Sequence, residues 1–170
     1  MGFYGSQNSK TNVSPLNLLD TAIRYLREGW NAPAFLLLSE AKPEKEPAAE
    51  FALALCYLRA GELSAAVLHL EQALRLIRTA SVPPSQETNE TYIKLYKEQL
   101  EEQIYLTPMD ADFFSLFPKE AEQTVLLALI HVYQQKGMDE QAQRLSAGLV
   151  GTVFEEHKKR LFDADLKSEQ

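Results

Sequence analysis

Residues 47–78 read PAAEFALALCYLRAGELSAAVLHLEQALRLIR, and this stretch decides how the whole chain folds. Pro47 suits the first turn of a helix, where its missing backbone N–H costs nothing, and an apolar run follows it. Gly61 supplies a left-handed stop. Ser64 can cap a returning helix whose apolar residues recur at three- and four-residue steps. The stretch therefore predicts two antiparallel helices joined by a tight turn.

The same pattern occurs in two other parts of the chain. A shift of 32 positions places identical residues on each other: Ala22 on Ala54, Tyr25 on Tyr57, Leu26 on Leu58, Arg27 on Arg59, Gly29 on Gly61, and Ala34 on Ala66. After a longer gap, Tyr133, Gly137 and Ala142 repeat the same spacing. Three copies, over about residues 15–46, 47–78 and 119–162, are enough to bury a continuous core by stacking.

The repeated residues resemble the tetratricopeptide repeat (TPR) family. The second copy matches best: Leu53, Ala54, Tyr57, Ala66, Leu70 and Ala73 occupy signature positions, whereas Glu50 stands at the usual Trp and Arg78 at the closing Pro. The resemblance implies an all-α fold, a right-handed stack of antiparallel helix pairs (an α-solenoid). It also implies that the first helix of each pair lines a concave groove for a peptide.

An insertion, residues 79–118, separates the second copy from the third. It is expected to contain helices between about 87 and 117, a first one over 87–105 and a short second one with Thr107 as its cap and Asp110 one turn inside. The short helix is dense in large apolar residues, namely Met109, Phe113, Phe114, Leu116 and Phe117. Such a segment is either buried against the array or exposed for a partner.

The repeats and the insertion are expected to form one helical domain, residues 14–163. We expect residues 1–13 to be a disordered N-terminal segment and residues 164–170 a disordered tail. The sequence has 17 Lys and Arg against 24 Asp and Glu, a net charge of −7. An acidic chain without clustered cations argues against nucleic acid as a partner. Cys56, the only cysteine, lies in an apolar run and is expected to be buried and reduced. Residues 1–12 resemble neither a secretory signal nor a membrane anchor, so we expect a cytoplasmic protein without membrane insertion.

The sequence lacks the common motifs for catalysis. The three histidines are far apart and lack metal-ligand spacing, and the chain has no Gly-rich phosphate loop and no Gly-x-Ser-x-Gly elbow. We therefore expect no enzyme activity, no cofactor and no metal.

The repeat register predicts which side chains line the groove. The predicted partner-binding residues are Leu26, Arg27, Phe51, Leu55, Leu58, Arg59 and His131. This surface is mostly apolar and suits an amphipathic segment with an acidic residue, which an arginine can bind in a fork. Alternatively, Arg27 and Arg59 only cap the C-terminal turns of their own helices.

Two functions remain open from the sequence. In the first, the protein is an adaptor or chaperone-like interaction module whose groove takes an apolar or amphipathic segment of another protein. In the second, residues 108–117 fill the groove, and the protein is a structural or oligomerising subunit that uses its convex face or its long C-terminal helix. Its partner would be another protein or a second copy of the chain.

Overall fold

A computed structural model describes residues 15–41, 46–80 and 103–149, and within these ranges the chain is helical, with no strand. Seven α-helices are present there: α1 (Pro15–Arg27), α2 (Asn31–Ala41), α3 (Pro47–Arg59), α4 (Leu63–Thr79), α5 (Ala111–Leu116), α6 (Pro118–Gln135) and α7 (Asp139–Ser146). Two 3₁₀ helices, η1 (Ile104–Leu106) and η2 (Ala147–Leu149), complete them. The predicted all-α class is confirmed. Residues 87–102 of the predicted helix over 87–105, both predicted disordered ends and the third copy beyond residue 149 lie outside the described residues. The end of that predicted helix is wrong, because Gln103 has a left-handed φ of 58° and the 3₁₀ helix η1 begins at Ile104.

Three helix pairs turn at glycines with the same backbone geometry. Gly29, Gly61 and Gly137 have φ angles of 82°, 79° and 68°, the left-handed region in which glycine carries no Cβ penalty. The residue after each glycine donates its backbone N–H to the carbonyl of Tyr25, Tyr57 or Tyr133, at 2.7, 2.9 and 2.8 Å. This is the bond of a Schellman C-cap, and its recurrence confirms the predicted turns.

The helices of each pair pack closely because a small residue lies at their contact. Ala34, Ala66 and Ala142, each five residues after its turn glycine, are fully buried. The helices α1 and α2, α3 and α4, and α6 and α7 pack in pairs, and α2 also contacts α3, as α4 contacts α6. Successive pairs therefore share one core.

The helix α3 lies at the centre of this core. It contacts α1, α2, α4 and α5, and every residue from 48 to 56 is buried. A helix that is apolar on all sides needs neighbours on all sides, and α5 from the insertion is one of them. The described end of the insertion, residues 103–118, thus packs on the repeats.

Two predicted caps are wrong. Helix α4 begins at Leu63, so Ser64 lies inside the first turn, and its hydroxyl accepts a hydrogen bond from Lys136 Nζ at 2.9 Å. The short inserted helix begins at Ala111, not after Thr107, whose hydroxyl donates to the Ile104 carbonyl and closes η1. Asp110 precedes the helix instead of lying within it, and its carboxylate binds Arg27 of α1.

Candidate functional site

Residues of the insertion pack on helices that the sequence predicts to line the groove. We call the surfaces of α1, α3 and α6 that face this insertion the first-helix face. Helix α5 packs on α3 and α6, and η1 packs on α6. The Phe114 ring lies 5.9 Å from the Phe51 ring, centroid to centroid, and both side chains are buried. Met109, just before α5, is buried as well. An apolar segment therefore already lies on this face.

Arg27 binds the same segment by its polar groups. One of its terminal nitrogens donates to Asp110 Oδ2 at 2.9 Å, and its Nε donates to the Pro108 carbonyl at 3.3 Å. The sequence predicted that Arg27 binds an acidic residue within an apolar segment, and the structure finds that combination inside the chain. The Arg27 and Asp110 side chains are about half exposed, so their Coulomb attraction is screened.

Arg59 performs a different task from Arg27, although the two occupy equivalent repeat positions. One of its terminal nitrogens donates to the Leu26 carbonyl at 2.9 Å and to Asn31 Oδ1 at 2.7 Å. A cation at the last turn of α1 suits the negative end of that helix. The alternative expectation was that each arginine caps its own helix. For Arg59 the capped helix is a different one, because its side chain bonds to the end of α1 and not to the end of α3.

The other predicted partner-binding residues are mostly buried or in contact with the insertion. Leu26, Phe51 and Leu55 are buried, and Leu58 is partly buried. His131 on α6 has its Nε2 2.9 Å from the Gln135 side-chain nitrogen, and its ring lies 6.0 Å from that of Tyr105, a fully buried residue of η1. Arg27, Phe51 and His131 thus all contact the insertion, whereas Arg59 joins the first two copies.

A polar cluster in the second copy, with Glu50 as its buried member, was not predicted from the sequence. Glu50, at the position where the TPR pattern has Trp, is only 6% exposed and lies 2.7 Å from His69 Nδ1. The His69 ring stacks on Tyr57 at 5.1 Å. The cluster joins α3 to α4, and the spacing of 19 residues between its two ionisable members belongs to no local motif.

Cys56 is buried, as the sequence predicted. Burial raises the pKa of its thiol to about 11, although the positive charge of Arg59 opposes this shift. A thiol that stays protonated is a poor nucleophile, so Cys56 belongs to the core.

The helices α4, α6 and α7 enclose a cleft of about 430 Å³. Apolar side chains from all three helices line it (Leu74, Leu129, Leu145), together with three arginines (Arg75, Arg78, Arg144). Tyr133, also in its lining, donates its hydroxyl to Glu71 at 2.8 Å. Burial, followed by the hydrogen bond to Glu71 and its charge, raises the pKa of Tyr133 to about 12.

Two large apolar residues are exposed at equivalent positions of α2 and α4. Leu36 is 64% exposed and Leu68 is 65% exposed, and the repeat shift of 32 places one on the other. The third copy has Arg144 at this position. The second helices α2 and α4 therefore each carry one exposed leucine at the same repeat position.

Within the described ranges, no three His, Cys, Asp or Glu residues are grouped so that they could hold a metal ion. The same part of the chain contains no helix that is both long and apolar enough to cross a membrane. Comparison with protein-family models, with curated proteins and with solved structures finds no match for this chain.

Proposed function

We propose that the protein is a structural helical-repeat subunit whose groove is filled by its own insertion. In this proposal the three helix pairs form a TPR-like right-handed stack, and residues 104–116 occupy the concave first-helix face. The contact of Phe114 with Phe51 carries the proposal, because it occupies the surface where a partner segment would otherwise bind.

The chemistry of the insertion supports this choice over the adaptor. A groove ligand was expected to combine apolar anchors with one acidic residue, and Met109, Phe114 and Asp110 provide this combination within six residues. Truncating a buried Phe to Ala costs about 3–5 kcal/mol, whereas an exposed ion pair contributes about 0–1 kcal/mol. The apolar contact therefore holds the segment, and the Arg27 pair fixes its position.

The experiment is a titration with a labelled synthetic peptide of residues 107–117, followed by fluorescence polarisation. Because the groove of the native chain is filled, we expect no saturable binding to it. In the Phe114→Ala chain the anchor is missing, and the peptide should bind from solution.

A control peptide that itself carries Phe114→Ala should bind neither chain. Equal binding of the unmodified peptide by the native and the Phe114→Ala chains would contradict a filled groove. That result would favour the adaptor, whose groove opens to partners.

The proposal also assigns contacts between copies of the chain to the second helices. Leu36 and Leu68 are their exposed apolar residues, and apolar surface left in water favours association. We expect the sedimentation coefficient to rise with protein concentration for the native chain and to stay constant for the Leu36→Asp, Leu68→Asp variant. A native chain that remains monomeric over the same concentrations would refute assembly through this face.

A further inference from the structure

The cleft between α4, α6 and α7 collects positive charge in an acidic protein. Three of the seven arginines in the sequence line it against one glutamate, Glu71, on a chain whose net charge is −7. Below them, Leu74 and Leu129 are buried and Leu145 is partly buried. A cleft of this kind suits a segment that combines carboxylates with large apolar side chains.

The three arginines keep donors for such a segment. Arg78 pairs with Glu122 through Nε at 2.7 Å, and Arg144 lies 3.5 Å from Glu140 in an exposed pair within α7. Arg75 bonds to the neutral amide of Gln72, and among the described residues no carboxylate pairs with it. A guanidinium has five N–H donors, so each of the three can accommodate a further carboxylate oxygen.

The same molecule shows which segment an arginine of this chain binds. At the first-helix face, Arg27 binds the carboxylate of Asp110, the first aspartate of the sequence Met-Asp-Ala-Asp-Phe, residues 109–113. Residues 162–166 read Phe-Asp-Ala-Asp-Leu and repeat the order of apolar residue, Asp, Ala, Asp and apolar residue. The charge and apolar pattern of this second segment complements the cleft.

The cleft is within reach of that segment. Helix α7, which contributes Arg144 and Leu145 to the cleft, is followed directly by η2, which ends at Leu149. Twelve peptide units separate Leu149 from Leu161, and they can span at most about 40 Å. A short tether of this kind gives an effective concentration of about 1 mM, which favours the segment of the same chain over that of a second copy.

We propose that residues 161–166 of the chain dock in the cleft between α4 and α7. The carboxylates of Asp163 and Asp165 accept hydrogen bonds from the arginines, and the neighbouring apolar side chains cover the leucines. The inference is independent of the proposed function, since Arg27, Phe51, Asp110 and Phe114 do not line the cleft.

Disulfide trapping in the full chain tests the inference. Thr79, at the end of α4, lines the cleft and is exposed, and Ala164 lies between the two aspartates. The chain with Thr79→Cys and Ala164→Cys is oxidised with diamide at low protein concentration and followed on non-reducing gels. Native Cys56 remains in place, because its buried thiol stays protonated.

Ser39 gives a matched control. Like Thr79, it is exposed near the end of a second helix and donates its hydroxyl to a carbonyl of its own helix, at 2.8 Å against 3.1 Å for Thr79. We expect the intramolecular disulfide to form about tenfold faster from Thr79→Cys than from Ser39→Cys, each combined with Ala164→Cys. The variants Asp163→Asn with Asp165→Asn should abolish this difference.

Arg75→Ala should lower the trapping rate as well, whereas Arg24→Ala, which removes an exposed arginine on α1, should leave it unchanged. Equal rates from Thr79→Cys and Ser39→Cys would overturn the proposal. Disulfides that form only between chains would overturn it too, because the occupant would then be a second copy.

Discussion

Replacing Phe114 by Ala tests how firmly the insertion is packed onto the repeats. Phe114 is 4% exposed and lies against Phe51, which is completely buried. Buried Phe to Ala changes cost about 3–5 kcal/mol, from lost apolar burial and from the cavity left behind. Because α5 is short and its neighbour Phe113 is only partly buried and can relax, we expect the lower end of this range, about 3 kcal/mol.

The assay is equilibrium unfolding in urea, with thermal unfolding as a second measurement. For a chain of this size, about 3 kcal/mol corresponds to a fall in Tm of about 6–12 °C. Leu116→Ala is the matched control, since Leu116 lies on the same helix but is 67% exposed. It should change the free energy of unfolding by less than about 0.5 kcal/mol.

A Phe114→Ala chain as stable as the Leu116→Ala chain would refute the reasoning. The insertion would then contribute nothing to the stability of the repeats, and its contact with Phe51 would not hold it on the first-helix face.

Three further predictions concern the turn at Gly61, the buried thiol of Cys56 and the contact of Arg59 between the first two repeats. Gly61→Val should cost about 1–2 kcal/mol in thermal unfolding and Gly61→Asn less, because the site has φ 79° and a Cβ there meets no atom within 4 Å, so the penalty is conformational. Burial raises the pKa of Cys56 from 9.0 to about 11, so above pH 9 the unfolded chain releases a proton that the folded chain keeps. The free energy of unfolding therefore falls as the pH rises. Between pH 8 and pH 10, urea titrations should show that the native chain loses about 1 kcal/mol more stability than Cys56→Ala. Arg59→Ala removes two hydrogen bonds at the end of α1 and should lower the free energy of unfolding by about 1–2 kcal/mol, and an unchanged value would show that these bonds contribute nothing.

The helix pairs were predictable because their signals are local. A glycine with positive φ ends a helix wherever it stands, and the shift of 32 positions carries that signal from Gly29 to Gly61. Helix starts were less predictable where a polar side chain could bond either to the helix end beside it or to a residue distant in sequence. Ser64 was expected to cap α4 but bonds to Lys136, which lies 72 positions away and comes close only after folding.

The packing of α5 on α3 could not be read from the sequence for the same reason. The apolar residues around Phe114 indicated either burial or a partner, and the Arg27 register indicated an acidic ligand. That the acidic residue is Asp110, 83 positions along the same chain, depends on how the insertion returns over α3. Dense apolar residues beside an aspartate were the available signal, and the contact of Phe114 with Phe51 arises only from tertiary packing.

The most direct test of a filled first-helix face is a nuclear Overhauser measurement between the aromatic protons of Phe114 and Phe51 in a chain with selectively labelled Phe. With ring centroids 5.9 Å apart, the account predicts clear cross-peaks between the two rings, and their loss on Phe114→Ala will assign them. Absence of these cross-peaks in the folded native chain would mean that the groove is open and would contradict the account.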